Sequence, residues 1–323
     1  MARSCPGIAT SSCRSAFPAD RTRDEPRRTE VRTMQLGLVG LGRMGGNMRE
    51  RLRAAGHEVI GYDNQAELSD VASLAEMAKK LDAPRAVWVM VPAAVTDETI
   101  TKLAEVLDTG DIIVDGGNSR FSDDAPRAER LNERGIGYVD AGVSGGVWGR
   151  QNGYALMVGG AKEHVDRLMP IFEALKPAGE FGFVHAGPVG AGHYAKMVHN
   201  GVEYGLMHAY AEGYELLAKS ELVTDVPGVF KSWREGTVVR SWLLDLLDRA
   251  LDEDPKLAEL SPYTEDTGEG RWTVDEAVRL AVPMNVIAAA LFARFASRQD
   301  DSPAMKAVAA LRQQFGGHAV RKR

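Results

Sequence analysis

Near its start the chain reads Gln35-Leu36-Gly37-Leu38-Val39-Gly40-Leu41-Gly42-Arg43-Met44-Gly45, an apolar run that leads into spaced glycines. A helical pattern follows over residues 47–55, and a second apolar strand, Glu58–Tyr62, ends at Asp63. A lone Gly-x-Gly-x-x-Gly pattern is weak evidence, because it also describes a plain glycine-rich turn. In the order strand, glycine turn, helix, strand and acid, it is typical of a dinucleotide-binding βαβ unit.

The glycines of this segment suit a phosphate-binding turn. Gly40 permits a tight turn, Gly42 lets the backbone approach a pyrophosphate, and Gly45 lets the helix pack closely on the strand. The helix N-terminus adds free N–H groups and the positive end of its dipole. The candidate cofactor-binding residues belong to this turn, to the end of the second strand and to the loops after the next strands: Gly40, Leu41, Gly42, Arg43, Met44, Gly45, Asp63, Val91, Pro92, Ala93 and Asn118.

Asp63 bears on the choice of cofactor. It lies about 20 residues beyond the glycines, where an acid hydrogen-bonds the adenosine ribose hydroxyls. A carboxylate there repels a 2′-phosphate, and Asn64 and Gln65 follow it with no arginine to receive one. We therefore predict that NAD is preferred and that NADP is less favoured. The alternative is that Asp63 only caps a turn at the end of a strand.

The composition of the chain excludes several classes of protein. The chain has 323 residues, 44% of them hydrophobic, which is enough for a substantial core in two domains. It contains no apolar run long enough to cross a bilayer, and its formal charge of -6 argues against a general nucleic-acid binder. Its cysteines, Cys5 and Cys13, precede the first predicted strand, which excludes a disulfide framework, a zinc site of cysteines or a cysteine nucleophile from the main body. This composition fits the reducing cytoplasm.

Residues 1–33 differ from the rest of the chain. They combine several arginines with Ser, Pro and Thr and show no hydrophobic periodicity. A secretory signal would need an apolar segment, and the acids Asp20, Asp24, Glu25 and Glu30 count against a transit peptide. We predict a disordered extension. Because Met34 opens the first predicted strand, we hypothesise that it is the natural start, which N-terminal sequencing of the native protein would test.

The alternation of strands and helices continues beyond Asp63. Apolar strands are predicted at residues 86–91, 111–115, 136–141 and 155–158. This pattern predicts an α/β, Rossmann-like doubly wound sheet over residues 34–189, with ligands beyond the carboxyl ends of its strands. Pro92, Asn118 and Ser144-Gly145-Gly146 fall at that edge, although each taken singly could be an ordinary turn.

After Pro188-Val189-Gly190 the pattern becomes helical. Helices are predicted at about residues 191–220, 241–250, 274–281, 286–299 and 305–314. We therefore expect an all-α domain over residues 190–323, and a ligand cleft between the two domains.

The first of these helices begins Gly192-His193-Tyr194-Ala195-Lys196-Met197-Val198-His199-Asn200-Gly201-Val202-Glu203-Tyr204-Gly205. Helical spacing predicts one face that carries Lys196, His199, Asn200, Glu203 and Tyr204. Gly201 and Gly205 each cost about 1 kcal/mol relative to Ala, so we expect another group to approach this backbone closely. The alternative is a solvated polar face.

These segments resemble the 6-phosphogluconate dehydrogenases, decarboxylating enzymes of the oxidative pentose phosphate pathway within the β-hydroxyacid dehydrogenase superfamily. The resemblance runs from Met34 to the C-terminus. Its most specific segments are Asp115-Gly116-Gly117-Asn118-Ser119, Val143-Ser144-Gly145-Gly146, the segment from Lys196 to Gly205, Gly268-Glu269-Gly270-Arg271-Trp272-Thr273, Phe292-Ala293-Arg294 and Arg312-Gln313-Gln314-Phe315-Gly316-Gly317-His318.

The resemblance implies two catalytic residues. Lys196 would take the proton from the 3-hydroxyl of 6-phosphogluconate as hydride leaves for the nicotinamide, and would return it as CO₂ departs. Acting as a base at neutral pH requires a lysine pKa below its free value of roughly 10.4. Glu203 would then protonate the enediol carbon to give ribulose 5-phosphate. No metal is implied.

The resemblance also implies the substrate contacts. The carboxylate and hydroxyls would be held by Asn118, Ser144, Gly145, Gly146, His199 and Asn200. The phosphate would be held by Tyr204, Arg271, Thr273 and Arg294, joined by Arg312 and His318 from a neighbouring subunit's tail. Arginine suits phosphate because its planar fork donates paired hydrogen bonds, although Arg271 or Arg312 alone could equally form a surface salt bridge. A shared tail implies a homodimer or homotetramer.

Two departures from the better-known relatives are informative. This chain is too short for the second helical repeat of the long form, so it resembles the short form. NADP-using members carry Asn-Arg-Thr where this chain has Asp63-Asn64-Gln65. One rival interpretation is another β-hydroxyacid dehydrogenase, acting on 3-hydroxyisobutyrate or tartronate semialdehyde. A second is a catalytically idle nucleotide-sensing protein, against which the presence of Lys196, Asn200 and Glu203 argues.

Overall fold

The sheet domain carries the nucleotide signature. A computed structural model describes residues 33–316 and 319–321, and in this part of the chain one sheet of seven strands has the order β2-β1-β3-β4-β5-β6-β7. The strands are β1 Gln35–Val39, β2 Glu58–Tyr62, β3 Ala86–Val89, β4 Ile112–Asp115, β5 Gly137–Ser144, β6 Ala155–Gly160 and β7 Phe183–Gly187. Neighbouring strands from β2 to β5 are parallel, whereas β6 runs antiparallel to β5.

Helices connect these strands and then form the second half of the chain. Those between the strands are α1 Arg43–Ala54, α2 Leu74–Lys80, α3 Ala93–Val106, α4 Asp124–Asn132, α5 Gly149–Asn152 and α6 Lys162–Leu175. Those after the sheet are α7 Ala191–Lys219, α8 Val226–Trp233, α9 Trp242–Glu253, α10 Glu269–Arg279, α11 Asn285–Ala296 and α12 Pro303–Gly316.

Apolar clusters cover both faces of the sheet. Successive residues of a strand point to opposite faces, and in β3 the side chain of Trp88 joins one cluster while those of Val87 and Val89 join the other. The first cluster includes Met48 of α1 and Phe172 of α6, and the second is closed by α2, α3 and α4. The predicted doubly wound sheet followed by an all-helical region is confirmed.

The predicted element list was incomplete in identifiable places. β7 was missed because it is a short edge strand whose residues are all at least partly exposed, so it lacks the continuous apolar run of the inner strands. α8, also missed, is only two turns long. β3 was predicted to reach Val91 but ends at Val89, and α1 was predicted from Asn47 but begins at Arg43.

Small residues let α7 lie directly on the sheet. A Cβ atom added at Gly142 of β5 would be 2.4 Å from Lys196 Cβ, and one at Gly192 would be 2.4 Å from the Met157 carbonyl oxygen. Larger side chains at either glycine would push helix and sheet apart. This close approach places Lys196 near the carboxyl end of β5, beside the loop that begins at Ser144.

Across the described part of the chain, no helix is long and apolar enough to span a membrane.

Candidate active site

A cavity of about 620 Å³ lies where the carboxyl end of β5 meets α7. Predicted site residues from three separated segments line it: Met44, Ser144, Gly145, Gly146, Lys196, His199, Asn200 and Glu203. The N-terminal part of α9 covers the cavity with Ser241, Trp242, Leu243 and Leu246, which were not singled out from the sequence. The cavity therefore combines polar groups from the sheet domain and α7 with an apolar wall from the helical domain.

Lys196 contributes the amine of this cavity. It is half-buried, and its Nζ donates a hydrogen bond of 2.6 Å to Asn200 Oδ1. Burial lowers the pKa of Lys196 below its ordinary value, while the negative charges of Glu269 and Glu203 partly oppose that shift. The direction of the shift is the one that a lysine needs in order to act as a base near neutral pH.

Glu203 and His199 extend the polar row along α7. His199 Nδ1 lies 3.0 Å from Asn200 Oδ1 and 3.9 Å from Glu203 Oε2. Glu203 follows Lys196 by seven residues, which corresponds to about 10 Å along a helix axis. The cavity thus holds an amine toward one end of the row and a carboxyl group toward the other, with room between them for a small ligand.

Tyr204 lies outside this cavity, which corrects the predicted common face. Its ring is 6% exposed and packs with Ala290 and Leu291 in the helical core, and its buried hydroxyl has no partner among the described residues. Arg294 stacks over that ring, with its guanidinium carbon 3.5 Å from the ring centre. The reason is angular: the position eight residues after Lys196 is rotated by about 80° at 100° per residue.

The predicted close approach to Gly201 and Gly205 is confirmed, and the approaching groups are other helices. A Cβ atom at Gly201 would be 2.7 Å from Thr273 Cγ2 of α10, and one at Gly205 would be 3.2 Å from Val286 Cγ1 of α11. Thr273 is buried, and its hydroxyl donates to the carbonyl oxygens of Met197 and Glu269. The structure therefore places Thr273 in helix packing rather than in the cavity.

The candidate phosphate ligands do not line the cavity either. Arg271 is exposed, forms paired hydrogen bonds to Asp266 at 2.8 and 3.0 Å, and lies over the Phe295 ring. Arg294 Nη1 donates to the Glu265 carbonyl oxygen. Arg312 is exposed on α12, and His318 lies outside the described residues. Arg271 thus lies against the Phe295 ring and Arg294 against the Tyr204 ring, outside the cavity.

The glycine turn has the shape that a pyrophosphate requires. Gly40 adopts φ +90°, and a Cβ atom at Gly45 would lie 1.9 Å from the Gly40 carbonyl oxygen, so both positions exclude side chains. A Cβ atom at Gly42 would meet nothing within 4 Å, and Gly42 caps α1 without a side-chain hydrogen bond. The turn therefore presents open space and free N–H groups at a helix N-terminus, which fits a dinucleotide phosphate.

The other candidate cofactor residues surround this turn. Asp63 follows β2, and its Oδ2 accepts a hydrogen bond of 2.7 Å from the Leu41 amide while its Oδ1 accepts one of 2.9 Å from the Gln65 amide. Val91 and Pro92 follow β3 and lead into α3 at Ala93. Asp63 thus caps a local turn and also lies against the glycine loop.

Glu269 is a residue of this site for which no role was predicted. It is 4% exposed, opens α10, and its Oε1 accepts hydrogen bonds from Asn118 Nδ2 and, at 3.0 Å, from Asn200 Nδ2. It therefore joins the loop after β4 to α7. It was quoted within Gly268-Glu269-Gly270-Arg271-Trp272-Thr273, but no helical periodicity marks a buried acid at the start of a helix.

A buried polar network lies beneath the start of α7. His193 Nδ1 lies 2.9 Å from Asp124 Oδ2, and Arg127 contacts Asp115 at 3.2 Å. Burial alone would lower the pKa of His193, but the hydrogen bond to Asp124 and the nearby carboxylates raise it to about 9. Asp115, Asp124 and His193 offer ligand atoms close enough together for a metal ion. Because Arg127 and the His193 cation already neutralise these carboxylates, the network fits a role in securing α7 on the sheet.

Comparison with known proteins agrees with this arrangement. Residues 35–182 match the family model described as the NAD binding domain of 6-phosphogluconate dehydrogenase, and residues 192–321 match the model of its C-terminal domain. The chain is 42% identical over 301 residues to the NAD(+)-dependent, decarboxylating 6-phosphogluconate dehydrogenase of Haloferax volcanii, over 90% of this chain and 99% of the relative.

Solved structures share the fold. The 6-phosphogluconate dehydrogenase of Plasmodium falciparum superposes with a TM-score of 0.75 at 28% identity, over 90% of this chain but only 66% of that chain. A 3-hydroxyisobutyrate dehydrogenase from Mycobacterium tuberculosis superposes with a TM-score of 0.65 at 23% identity, over 87% of this chain and 99% of that chain, and shows the fold alone.

The lengths of these relatives identify the form of the protein. The Haloferax volcanii relative is matched from end to end, whereas a third of the Plasmodium falciparum chain has no counterpart here. The predicted resemblance and the short form are both confirmed. The two family models, the relative that matches end to end and the cavity at the end of β5 lead to one conclusion: the chain belongs to the 6-phosphogluconate dehydrogenase family.

Proposed function

We propose that this protein oxidatively decarboxylates 6-phosphogluconate to ribulose 5-phosphate and CO₂, with NAD as its preferred hydride acceptor. The observation that carries the proposal is that Lys196, Asn200 and Glu203 line one cavity at the ligand edge of the sheet. The family membership indicates 6-phosphogluconate as the substrate, and the glycine turn is the proposed binding site for the dinucleotide.

Lys196 begins the reaction as a base. Its Nζ takes the proton of the 3-hydroxyl, so that the electrons of that O–H bond form the C3 carbonyl as hydride leaves C3. When bound, NAD supplies the acceptor for that hydride. Asn200 holds Nζ in place through the 2.6 Å hydrogen bond.

Lys196 and Glu203 complete the reaction as acids. The 3-keto acid loses CO₂ when the C1–C2 bond breaks, and its electron pair moves toward the C3 oxygen. Protonated Lys196 donates a proton to that oxygen as its negative charge develops. Glu203, at the other end of the row, gives a proton to the former C2, which becomes C1 of ribulose 5-phosphate. The enol O–H on the former C3 returns its proton to Lys196 and becomes the C2 carbonyl of the product.

Asp63 supports the preference for NAD. It lies at the end of β2 against the glycine loop, and a carboxylate there disfavours a 2′-phosphate. The Haloferax volcanii relative is named as NAD(+)-dependent, whereas the Plasmodium falciparum enzyme was solved in complex with NADP+ as its cofactor. Asp63 supports the same preference for NAD in this chain.

Substitution of Asp63 tests the cofactor preference. Asp63→Asn keeps an oxygen that can accept from the Leu41 amide but removes the charge, so the turn should persist while NADP is no longer repelled. We expect the ratio of kcat/KM for NAD to that for NADP to fall by about tenfold or more, since a hydrogen bond to a charged group contributes about 1.5–3 kcal/mol. An unchanged ratio would refute the ribose assignment; Asp82→Asn, exposed and after α2, is the matched control.

We further propose that the phosphate end of the substrate lies toward Arg271, Arg294 and Tyr204. The Tyr204 hydroxyl has no hydrogen-bond partner among the described residues. Thr273 could join this group only after local rearrangement, because the Thr273 hydroxyl donates to the Met197 carbonyl oxygen. Arg312 and His318 would come from a partner subunit, so the active unit would be a homodimer or homotetramer. In this scheme residues 34–189 bind the cofactor, residues 190–323 bind substrate and form the oligomer, and the enzyme works in the cytoplasm.

Measuring both products of one reaction tests the proposed activity. The protein is incubated with 6-phosphogluconate and NAD, and NADH and CO₂ are measured together. We expect one CO₂ for each NADH. NADH without CO₂, or turnover only with 3-hydroxyisobutyrate or tartronate semialdehyde, would favour another β-hydroxyacid dehydrogenase. Cofactor binding without turnover would favour an idle nucleotide-binding protein.

A further inference from the structure

We infer that Glu269 is a positioning residue of the active site, whose carboxylate fixes the side-chain amides of Asn118 and Asn200 in their working orientation. This inference rests on the proposed function, since it assigns a role within the same cavity. Glu269 does not itself line the cavity or touch the proposed reacting atoms, and it acts through the two asparagines.

The surroundings of Glu269 show that its carboxylate is held firmly. It is 4% exposed, and a buried carboxylate is costly unless it is hydrogen-bonded. Oε1 accepts from Asn118 Nδ2 and Asn200 Nδ2, and Oε2 accepts a bond of 2.6 Å from Thr267 Oγ1. Its position as the first residue of α10 adds the favourable N-terminal end of the helix dipole.

Charge decides which way the two amides face. An ionised carboxylate only accepts hydrogen bonds, so each asparagine must turn its NH₂ group toward Glu269. The oxygen of Asn200 then faces Lys196 and accepts the hydrogen bond from Nζ. A flipped Asn200 would present NH₂ groups to an ammonium, which has no acceptor. Glu269 therefore orients Lys196 through Asn200.

The same carboxylate joins separate parts of the fold. Asn118 follows β4 in the sheet domain, Asn200 lies on α7, and Glu269 opens α10 in the helical domain. A single oxygen atom, Oε1, bonds both asparagines. A change at Glu269 should therefore displace catalytic groups on both sides of the cleft, and a misplacement of about 1 Å can cost about 100-fold in rate.

Glu269 also contributes charge at Lys196. The charged or titratable groups near Lys196 are Glu203 and His199 on α7 and Glu269 on α10, while Asp140 of β5 is bonded to the Gly190 and His193 amides. The α9 residues that line the cavity carry no charge. Glu269 raises the pKa of Lys196 against the lowering by burial, so its removal should lower that pKa further.

Two substitutions separate positioning from packing. Glu269→Gln keeps the size and an accepting oxygen but removes the charge, and Glu269→Ala removes both. With NAD and 6-phosphogluconate, we expect Glu269→Ala to lower kcat/KM about 100-fold or more. Glu269→Gln should stay within about tenfold of wild type, and the acidic limb of its kcat/KM profile should move to lower pH, because neutral Lys196 then persists to lower pH. Glu253→Gln, at the exposed end of α9, is the control and should leave both unchanged.

Defined outcomes would overturn the inference. Activity of Glu269→Ala within threefold of wild type would show that the carboxylate positions nothing. A large loss in Glu269→Ala alone, with an unmoved acidic limb in Glu269→Gln, would reduce the role of Glu269 to packing. If Glu269→Ala does not fold, the pH limb of Glu269→Gln decides.

A measurement that needs no turnover separates this inference from the proposed function. If the wild-type protein releases no CO₂ from 6-phosphogluconate, the proposed function fails. The Lys196 pKa can then be read by NMR in lysine-labelled protein, with the signal assigned by Lys196→Arg. A lower pKa in Glu269→Gln than in wild type supports the inference, and an equal pKa contradicts it.

Discussion

Lys196→Ala is expected to lower the rate of NADH formation by about 10³-fold or more while leaving the affinity for NAD within about twofold. General-base catalysis contributes about 10²–10⁴-fold, and the substitution also removes the acid that assists the loss of CO₂. The amine lies in the cavity beside β5, whereas the proposed dinucleotide phosphate site is the turn at Gly42, so binding of the cofactor should persist. Initial rates and equilibrium titration with NAD measure the two effects.

A lysine on the same helix provides the control. Lys219 ends α7, is exposed and pairs with Glu215, so Lys219→Ala should leave both quantities unchanged. Retained turnover in Lys196→Ala would remove Lys196 as the base. A parallel loss of NAD affinity would indicate damage to the fold rather than to the chemistry.

Glu203→Gln is expected to lower steady-state turnover by about 10²–10³-fold, the range typical of a lost general acid. Its defect should appear late in the reaction, because Glu203 gives its proton after hydride and CO₂ have left. A rapid-mixing experiment should therefore show about one NADH formed quickly for each active site, followed by slow turnover. The measurement is the NADH absorbance over the first turnover at high enzyme concentration.

The time course distinguishes the possible roles of Glu203. A first turnover as slow as the later ones would place Glu203 before the loss of hydride, and unchanged turnover would exclude it as the acid. Glu215→Gln is the matched control, because Glu215 lies on the same helix three turns further on, is exposed and pairs with Lys219.

The sheet could be predicted because its local sequence patterns favour the same strands and turns that the tertiary packing requires. The strands from β1 to β5 are apolar runs, and the glycine turn needs positions without side chains at Gly40 and Gly45. β7 escaped prediction because an edge strand is stabilised by its pairing with β6, which no local pattern records.

The site residues within α7 could be predicted from the sequence, whereas the specific contacts between α7 and other helices could not. Helical spacing placed Lys196, Asn200 and Glu203 on one face, and these residues do line one cavity. It also placed Tyr204 on that face, whereas Tyr204 packs in the helical core. The position of Tyr204 depends on the packing of α7 against α10 and α11, which is a tertiary property. Glu269 was missed for the same reason, since its partners lie 69 and 151 residues away.

The most direct test is a crystal structure of the protein with 6-phosphogluconate and NAD bound. The proposed chemistry predicts that Lys196 Nζ lies within about 3 Å of the C3 oxygen, and that the Glu203 carboxyl group faces C2 from the opposite side of the substrate. A complex in which either group points away from the sugar acid, or in which the substrate lies outside the cavity between β5 and α7, would contradict it.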